Sequence, residues 1–129
     1  MHFFLDTSVL IDVLRSRRNR RQMLGDFVRH GHTLATSALN IAEVFAGMRP
    51  EEEANTRRFL DALECHEISR AAGEVAGRLN REWASRGRTL TLADTLVAAV
   101  CLEHAGTLLT DNRKDFPMPE LQLYRIPEN

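Results

Sequence analysis

Short apolar segments that alternate with amphipathic helical patterns constrain the fold of this chain most strongly. Five segments are short and apolar enough to be strands, at positions 2–5, 32–37, 65–69, 107–110 and 121–126. Between them the apolar residues recur at helical spacing, as they do across 7–14. This alternation is typical of a mostly parallel sheet with helices on both faces. The sequence therefore predicts an α/β fold with four to five strands.

Capping residues mark where the predicted helices begin and end. Ser37 and Thr91 each stand directly before a strongly apolar helical pattern, which is where a hydroxyl side chain can accept a free amide. Gly47 and Gly106 stand at the other ends of the same patterns, where glycine commonly terminates a helix. A further long helix is expected over 70–85.

Chain length and composition limit the class of protein. A chain of 129 residues predicts one domain, spanning residues 1–129. No apolar run approaches the 18 or so residues of a membrane span, and the start lacks a charged secretory signal, so we expect a cytoplasmic protein. Cys65 and Cys101 lie far apart and are expected to be reduced, small core residues. The net charge of −1 argues neither for nor against a nucleic-acid partner.

Acidic residues fall where the predicted strands end. Asp6 directly follows the first strand, and Asp111 and Asp115 follow the fourth. Asp94 lies in the first turn of the helix that leads into the fourth strand, and Glu43 lies in the helix after the second. Because the carboxyl ends of parallel strands meet at one edge of a sheet, these acids are expected to converge there.

Each acid also fits an ordinary structural role. Asp6 fits the N-cap of the following helix, and Asp94 fits the reciprocal acid of a capping box. Glu43 fits a residue that points to solvent, although its neighbours are mostly apolar. Asp111 and Asp115 fit common turn residues. All of these roles stay open at the level of sequence.

Convergence of the acids would require a counter-charge. Two carboxylates about 4 Å apart repel by about 4 kcal/mol at an effective dielectric near 20, so three need a proton or a cation. The five histidines are scattered along the chain, and none is expected to join the acids. An all-oxygen donor set suits Mg²⁺, with Mn²⁺ as a possible substitute. The expected chemistry is attack by metal-activated water on a phosphodiester.

Four motifs in order resemble the PIN-domain ribonucleases, and most closely the VapC-type toxins of type II toxin–antitoxin pairs. The motifs are "FLDTSVLID", "TSALNIAEVFAG", "RGRTLTLADTLVAAV" and "LLTDNRKDF", which together span essentially the whole chain. The resemblance implies a three-layer α/β/α sandwich and a Mg²⁺-dependent endoribonuclease that cleaves RNA. It also implies a homodimer and a cognate VapB-type antitoxin that blocks the active site.

The resemblance also assigns site residues. It implies that the catalytic, metal-binding carboxylates are Asp6, Glu43, Asp94 and Asp115. Asn112 stands where some relatives have aspartate, so the fourth carboxylate must come from Asp115 or from Asp111. The remaining polar residues of the motifs would orient these groups or contact substrate, and they are Thr7, Ser8, Thr110, Asp111 and Asn112.

Arginine dominates the basic residues, since only one of the 17 is lysine. The arginine fork binds phosphate oxygens in a bidentate way. We predict that some of the arginines in "RSRRNRR" and in the stretch before the Asp94 helix contact RNA or the antitoxin. The candidates are Arg15, Arg17, Arg18, Arg20, Arg21, Arg86 and Arg88. A solvated helix end is the alternative reading of the first cluster.

Three other functions fit parts of the pattern. The first is a PIN-domain RNA-processing nuclease that has no antitoxin. The second is a catalytically silent module that binds RNA or a protein partner, which Asn112 favours because it removes a carboxylate. The third is a phosphoacceptor receiver domain, which needs a lysine at a late strand end. The only lysine, Lys114, lies in a predicted loop, so the third function is disfavoured.

Overall fold

The structure, a computed structural model, describes residues 1–127. Its strands are β1 (His2–Leu5), β2 (Thr33–Ser37), β3 (Glu64–His66), β4 (Thr107–Leu109) and β5 (Gln122–Tyr124). Its helices are α1 (Thr7–Leu14), α2 (Arg20–Arg29), α3 (Ala38–Gly47), α4 (Glu53–Asp61), α5 (Arg70–Ser85) and α6 (Leu92–Glu103). Short 3₁₀ turns cover Pro50–Glu52 and Arg113–Asp115.

The five strands form one parallel sheet in the order β3-β2-β1-β4-β5. The most apolar strand, β1, lies at the centre, where both of its faces are covered and Phe3, Phe4 and Leu5 are almost fully buried. The predicted α/β architecture is therefore confirmed. The parallel arrangement brings the carboxyl ends of β1, β2 and β4 to one edge of the sheet.

Two apolar cores lie on opposite faces of the sheet, as in a three-layer sandwich. Successive residues of β1 belong to different cores, because side chains along a strand point to opposite faces of the sheet. Phe3 and Leu5 pack with side chains of α1, α2, α3 and α4. Phe4 packs with α5 and α6, and its ring leaves no room for a side chain at Gly106, which begins the approach to β4.

The boundaries of several elements differ from the prediction. The fifth strand covers 122–124 instead of 121–126, since only that part pairs with β4. The residues after Pro50 form a 3₁₀ turn before the α-helix begins at Glu53. The prediction that Cys65 is a core residue is wrong: Cys101 is buried, but Cys65 is exposed on the short edge strand β3.

Among residues 1–127, no helix combines the length and the apolar character that are needed to cross a membrane.

Candidate metal centre

Asp6 lies at the carboxyl end of β1 and is the most enclosed of the candidate carboxylates, with 7% of its surface exposed. Its backbone continues the sheet by donating to Leu109 O at 3.0 Å. Asp6 occupies the N-cap position of α1, but its side chain makes no capping hydrogen bond within the described chain. The carboxylate instead accepts two bonds from residues that are distant in sequence.

The first of these bonds comes from Thr110, the residue that follows β4. Its hydroxyl donates to Asp6 Oδ2 at 2.6 Å, and Thr110 Oγ1 in turn accepts the amide of Asn112 at 3.0 Å. Thr110 is itself 1% exposed, so the contact is closed to solvent. The bond therefore holds the ends of β1 and β4 together and orients one oxygen of Asp6.

The second bond comes from Asn40, which the sequence reasoning missed. Its amide nitrogen donates to Asp6 Oδ1 at 3.1 Å and to Thr7 Oγ1 at 3.0 Å. The other end of the amide is fixed by a capping box, since Asn40 Oδ1 accepts the Ser37 hydroxyl at 2.6 Å. Asn40 is 1% exposed. The only sequence signal was the spacing of serine and asparagine at the start of α3.

Glu43 lies on α3, one turn after Asn40. Glu43 is exposed although its neighbours in sequence are mostly apolar, while Asn40 and Val44 of the same helix are buried. It is nevertheless held in place, since the Thr7 hydroxyl donates to Glu43 Oε1 at 2.6 Å. Thr7 thus links Asn40 to Glu43 directly beside Asp6.

Asp94 lies in the first turn of α6, where Thr91 Oγ1 accepts its amide at 3.1 Å. Burial raises the pKa of the Asp94 carboxyl, and hydrogen bonding with Thr91 opposes the shift. The negative charges of Asp115 and Glu43 raise the pKa further. Thr91 therefore caps the helix, and Asp94 faces two other acids of the candidate site.

The pKa of Asp6 is also raised. Burial is the main cause, the hydrogen bond from Thr110 opposes it, and the charges of Asp94 and Glu43 add to it. The structure thus brings Asp6, Glu43, Asp94 and Asp115 within electrostatic reach of one another. Their charges disfavour the ionised forms of Asp6 and Asp94 and provide a negative local potential at one sheet edge.

The loop after β4 gives its two aspartates different surroundings. Asp111 Oδ1 accepts from Arg20 at 2.6 Å and lies 3.1 Å from Arg18 Nη1. Its backbone amide lies 3.5 Å from Ser8 Oγ. Asp115, on the following 3₁₀ turn, interacts with Asp94 instead. Of the two alternatives left open by the sequence, the geometry favours Asp115 as the fourth carboxylate.

Arg20 is not available to RNA, so any phosphate contacts from this run come from its other arginines. It is 2% exposed, and its guanidinium lies between Asp111 and Asp12, whose Oδ2 is 3.5 Å from Nε. A guanidinium this deeply buried is tolerated because it is paired with acids. Arg20 therefore ties α1 and α2 to the loop that carries Asp115.

The other predicted arginines lie in several environments. Arg15 and Arg17 are exposed at the end of α1. Arg18 contacts Asp111, and Arg88 donates to the Lys114 carbonyl in the loop that carries Asp115. Arg86 is held at the end of α5, 2.9 Å from Glu82 and over the ring of Trp83.

An open cleft lies beside the acidic residues and is rich in arginine. Arg18, Arg113 and Arg125 line it together with Thr110 and Asp111. Sequence reasoning did not single out Arg113 and Arg125, because each stands alone among residues of other types. Negative carboxylates and positive guanidinium groups thus stand side by side at this edge of the sheet.

The donor chemistry of the acidic site fits a hard divalent cation. All of its candidate ligand atoms are carboxylate, amide or hydroxyl oxygens, which Mg²⁺ and Mn²⁺ prefer. Among residues 1–127, no three of these carboxylates come within 4.8 Å of one another. Mg²⁺ commonly retains several water ligands and is held by only one or two carboxylates directly.

Comparisons with known proteins identify the family of this chain. The PIN domain family model matches residues 3–118. Ribonuclease VapC19 of Mycobacterium tuberculosis is 32% identical over 119 residues, which cover 92% of this chain and 95% of the relative.

Solved structures of toxin–antitoxin proteins match the fold of this chain. A toxin–antitoxin complex from Klebsiella pneumoniae has 28% identity and a TM-score of 0.80, covering 98% of both chains. VapBC2 from Rickettsia felis, bound to a DNA fragment from its promoter, has 24% identity and a TM-score of 0.86, covering 96% of this chain and 98% of that one. The chain therefore belongs to the PIN domain family, as a VapC-type member.

Proposed function

We propose that this protein is a Mg²⁺-dependent endoribonuclease and the toxin of a type II toxin–antitoxin pair. The observation that carries the proposal is the set of four acids at the carboxyl edge of the sheet, in which Asp6 and Asp94 have raised pKa values. The family membership supports a nuclease, and the relative named ribonuclease VapC19 supports RNA as the substrate.

The ion would be held by Asp6, Glu43, Asp94 and Asp115. When bound, it would supply charge neutralisation at the phosphodiester and a lowered pKa for a ligated water. Asn112 adds no charge on the loop side, so the net charge of the site comes from these four carboxylates alone. A bound cation would favour the ionised forms of Asp6 and Asp94, whose pKa values are raised without it.

The uncharged residues of the site keep its carboxylates in position. Thr110 and Asn40 each fix one oxygen of Asp6, and Thr7 fixes one oxygen of Glu43. Oriented carboxylates bind a metal more tightly than mobile ones, since less side-chain freedom is lost on binding. The second lone pair of each Asp6 oxygen and the other oxygen of Glu43 would remain available to an ion.

The arginines of the adjacent cleft would hold the substrate. Arg113 and Arg125, with Arg18, line the open surface next to Thr110. Guanidinium groups bind the phosphates of single-stranded RNA without reading its sequence. A strand bound in this cleft would pass the acidic residues, which supports cleavage within a chain.

A cognate VapB-type antitoxin and a homodimer complete the proposal. The solved complexes with the same fold are described as toxin–antitoxin or VapBC assemblies, which supports an antitoxin partner here. An antitoxin that covers the acidic edge would abolish cleavage. A nuclease of RNA maturation would have the same site but no such inhibitor.

The test is cleavage of a mixed RNA substrate by the purified protein with Mg²⁺, with EDTA, and with the Asp94→Asn variant. We expect cleavage only by the wild-type protein with Mg²⁺. Glu51→Gln, an exposed acid on the Pro50–Glu52 turn, serves as the matched control and should cleave normally. Cleavage that persists in EDTA and in Asp94→Asn would rule out the proposed mechanism. Cleavage that the protein of the adjacent reading frame does not inhibit would leave the nuclease but remove the toxin.

A further inference from the structure

Three histidines that are far apart in sequence come together at the α5–α6 face of the sheet, away from the acidic centre. His66, at the end of β3, stacks on His104 with ring centroids 3.8 Å apart. The His66 ring also stacks on Phe4. The ring of His2 on β1 meets the His66 ring edge-on, with centroids 5.8 Å apart. Strand register causes this, since β1 and β3 both pair with β2.

Two of these histidines direct nitrogens at one carboxylate. Nε2 of His2 lies 3.6 Å from Glu64 Oε2, and Nε2 of His66 lies 3.7 Å from the same oxygen. The three ligand atoms all lie within 4.8 Å of one another, the only such trio among residues 1–127. Two donors bound tetrahedrally to one Zn²⁺ ion at about 2.0–2.1 Å are about 3.4 Å apart. The observed separations are close to that value.

The histidine donors are oriented for binding. Nδ1 of His2 forms a hydrogen bond with Thr33 Oγ1, which leaves Nε2 facing Glu64. Orientation of a ligating histidine through its second nitrogen is characteristic of metal sites. Nε2 of His66 is shielded from solvent and has no hydrogen-bond partner in the described part of the chain. A buried ring nitrogen without a partner is costly, and a bound ion would satisfy it.

Solvent can reach the site from one side. The Glu64 side chain is 56% exposed, so an ion can enter from solvent and retain an open coordination position.

We propose that His2, Glu64 and His66 form a second metal site that binds Zn²⁺. Two imidazoles and one carboxylate suit zinc and exclude Mg²⁺ as the preferred ion. The site is separate from the acidic centre and does not depend on the proposed nuclease activity. A bound ion would connect the edge strand β3 to the central strand β1 across β2, and so stabilise the fold.

The experiment is a calorimetric titration with Zn²⁺ in saturating Mg²⁺, which occupies the acidic centre. We expect one Zn²⁺ per chain, with a dissociation constant at least tenfold higher in Glu64→Gln and in His66→Gln. His30→Gln, which changes a histidine that bonds the Asp26 carbonyl on α2, is the matched control and should bind as the wild type does. Asp6→Asn should also bind Zn²⁺ unchanged.

A second readout separates binding from folding. Zn²⁺ should raise the melting temperature of the wild-type protein and of Asp6→Asn, but not that of Glu64→Gln. Because Glu64 is exposed, its variant should melt like the wild type without metal. Absence of Zn²⁺ binding, or binding that is lost in Asp6→Asn and kept in His66→Gln, would overturn the proposal. In the second case the ion would belong to the acidic centre.

Discussion

The hydroxyl of Thr110 donates a 2.6 Å hydrogen bond to Asp6 Oδ2, joining residues 104 positions apart in the chain. Both side chains are buried at the edge where β1 and β4 end. The bond does two things at once: it closes the sheet edge and it fixes one oxygen of the central carboxylate. A change at Thr110 should therefore affect the metal centre without removing any ligand.

Thr110→Val should weaken binding of Mg²⁺ about 10- to 100-fold, the loss typical of an orienting residue around a metal. The hydroxyl lowers the pKa of Asp6, so its loss should also shift the acidic limb of the pH–rate profile to higher pH. RNA cleavage at varied Mg²⁺ and pH measures both effects. Thr110→Ser keeps the hydroxyl and should behave as the wild type. An unshifted profile in Thr110→Val would show that the bond does not act on Asp6.

Asp6→Asn should stabilise the metal-free protein at neutral pH. Burial raises the pKa of Asp6 above its unfolded value of 3.8, so between the two pKa values the folded protein holds a proton that the unfolded chain has lost. The free energy of unfolding contributed by this group is therefore full below pH 3.8 and falls as the pH rises through the folded pKa. In EDTA at pH 7 we expect the variant to melt about 2–5 °C higher than the wild type.

Melting temperatures measured at lower pH test whether the charge of Asp6 is the cause of this difference in stability. The advantage of Asp6→Asn should shrink as the pH falls towards 3.8, where Asp6 itself is protonated in both states. Mg²⁺ at neutral pH should raise the melting temperature of the wild type and leave the variant nearly unchanged. A wild type that is more stable than Asp6→Asn in EDTA at pH 7 would contradict the proposed repulsion.

Asp111→Asn and Asp115→Asn should have opposite effects, although the residues share one loop. Asp111→Asn leaves the buried Arg20 with Asp12 alone and should cost about 3 kcal/mol of stability. Asp115→Asn removes a charge that faces Asp94, so it should not destabilise the fold but should reduce cleavage more than about 100-fold. Urea denaturation and RNA cleavage separate the two. Loss of cleavage in Asp111→Asn, together with loss of stability in Asp115→Asn, would assign the fourth carboxylate to Asp111.

The exposed arginines Arg15 and Arg17 should contribute through RNA phosphates. Loss of two phosphate contacts should make the log–log salt dependence of binding shallower by about 1.4 units for a single strand. The measurement is RNA affinity against salt for Arg15→Ala, Arg17→Ala in an Asp94→Asn background, which does not cleave. Arg29→Ala, paired with Asp26 on α2, is the control. An unchanged slope would exclude both residues from the RNA path.

Much of the fold could be predicted because its determinants are local. Apolar alternation marks the strands, and the hydroxyls of Ser37 and Thr91 do accept the amides of the helices that they precede. Parallel topology then requires that strand-end residues meet. For this reason the sequence could suggest which acids converge before any coordinates were known.

The missed residues depend on tertiary contacts that leave little trace in the sequence. Asn40 resembles part of an ordinary capping box, and only the packing of α3 against β1 brings its amide to Asp6. Arg20 is one of five arginines in a short run, but it alone pairs with an aspartate 91 positions away in a buried setting. His2 and His66 meet only through the register of β1, β2 and β3.

The most direct test of the acidic centre is titration of the wild-type protein and four single variants with Mn²⁺. The variants are Asp6→Asn, Glu43→Gln, Asp94→Asn and Asp115→Asn, measured beside Glu64→Gln, which disrupts the histidine cluster instead. We predict tight Mn²⁺ binding that each of the first four variants weakens and that Glu64→Gln preserves. Mn²⁺ binding that is unaffected by the loss of Asp6 and Asp94 would contradict a metal centre at the carboxyl edge of the sheet.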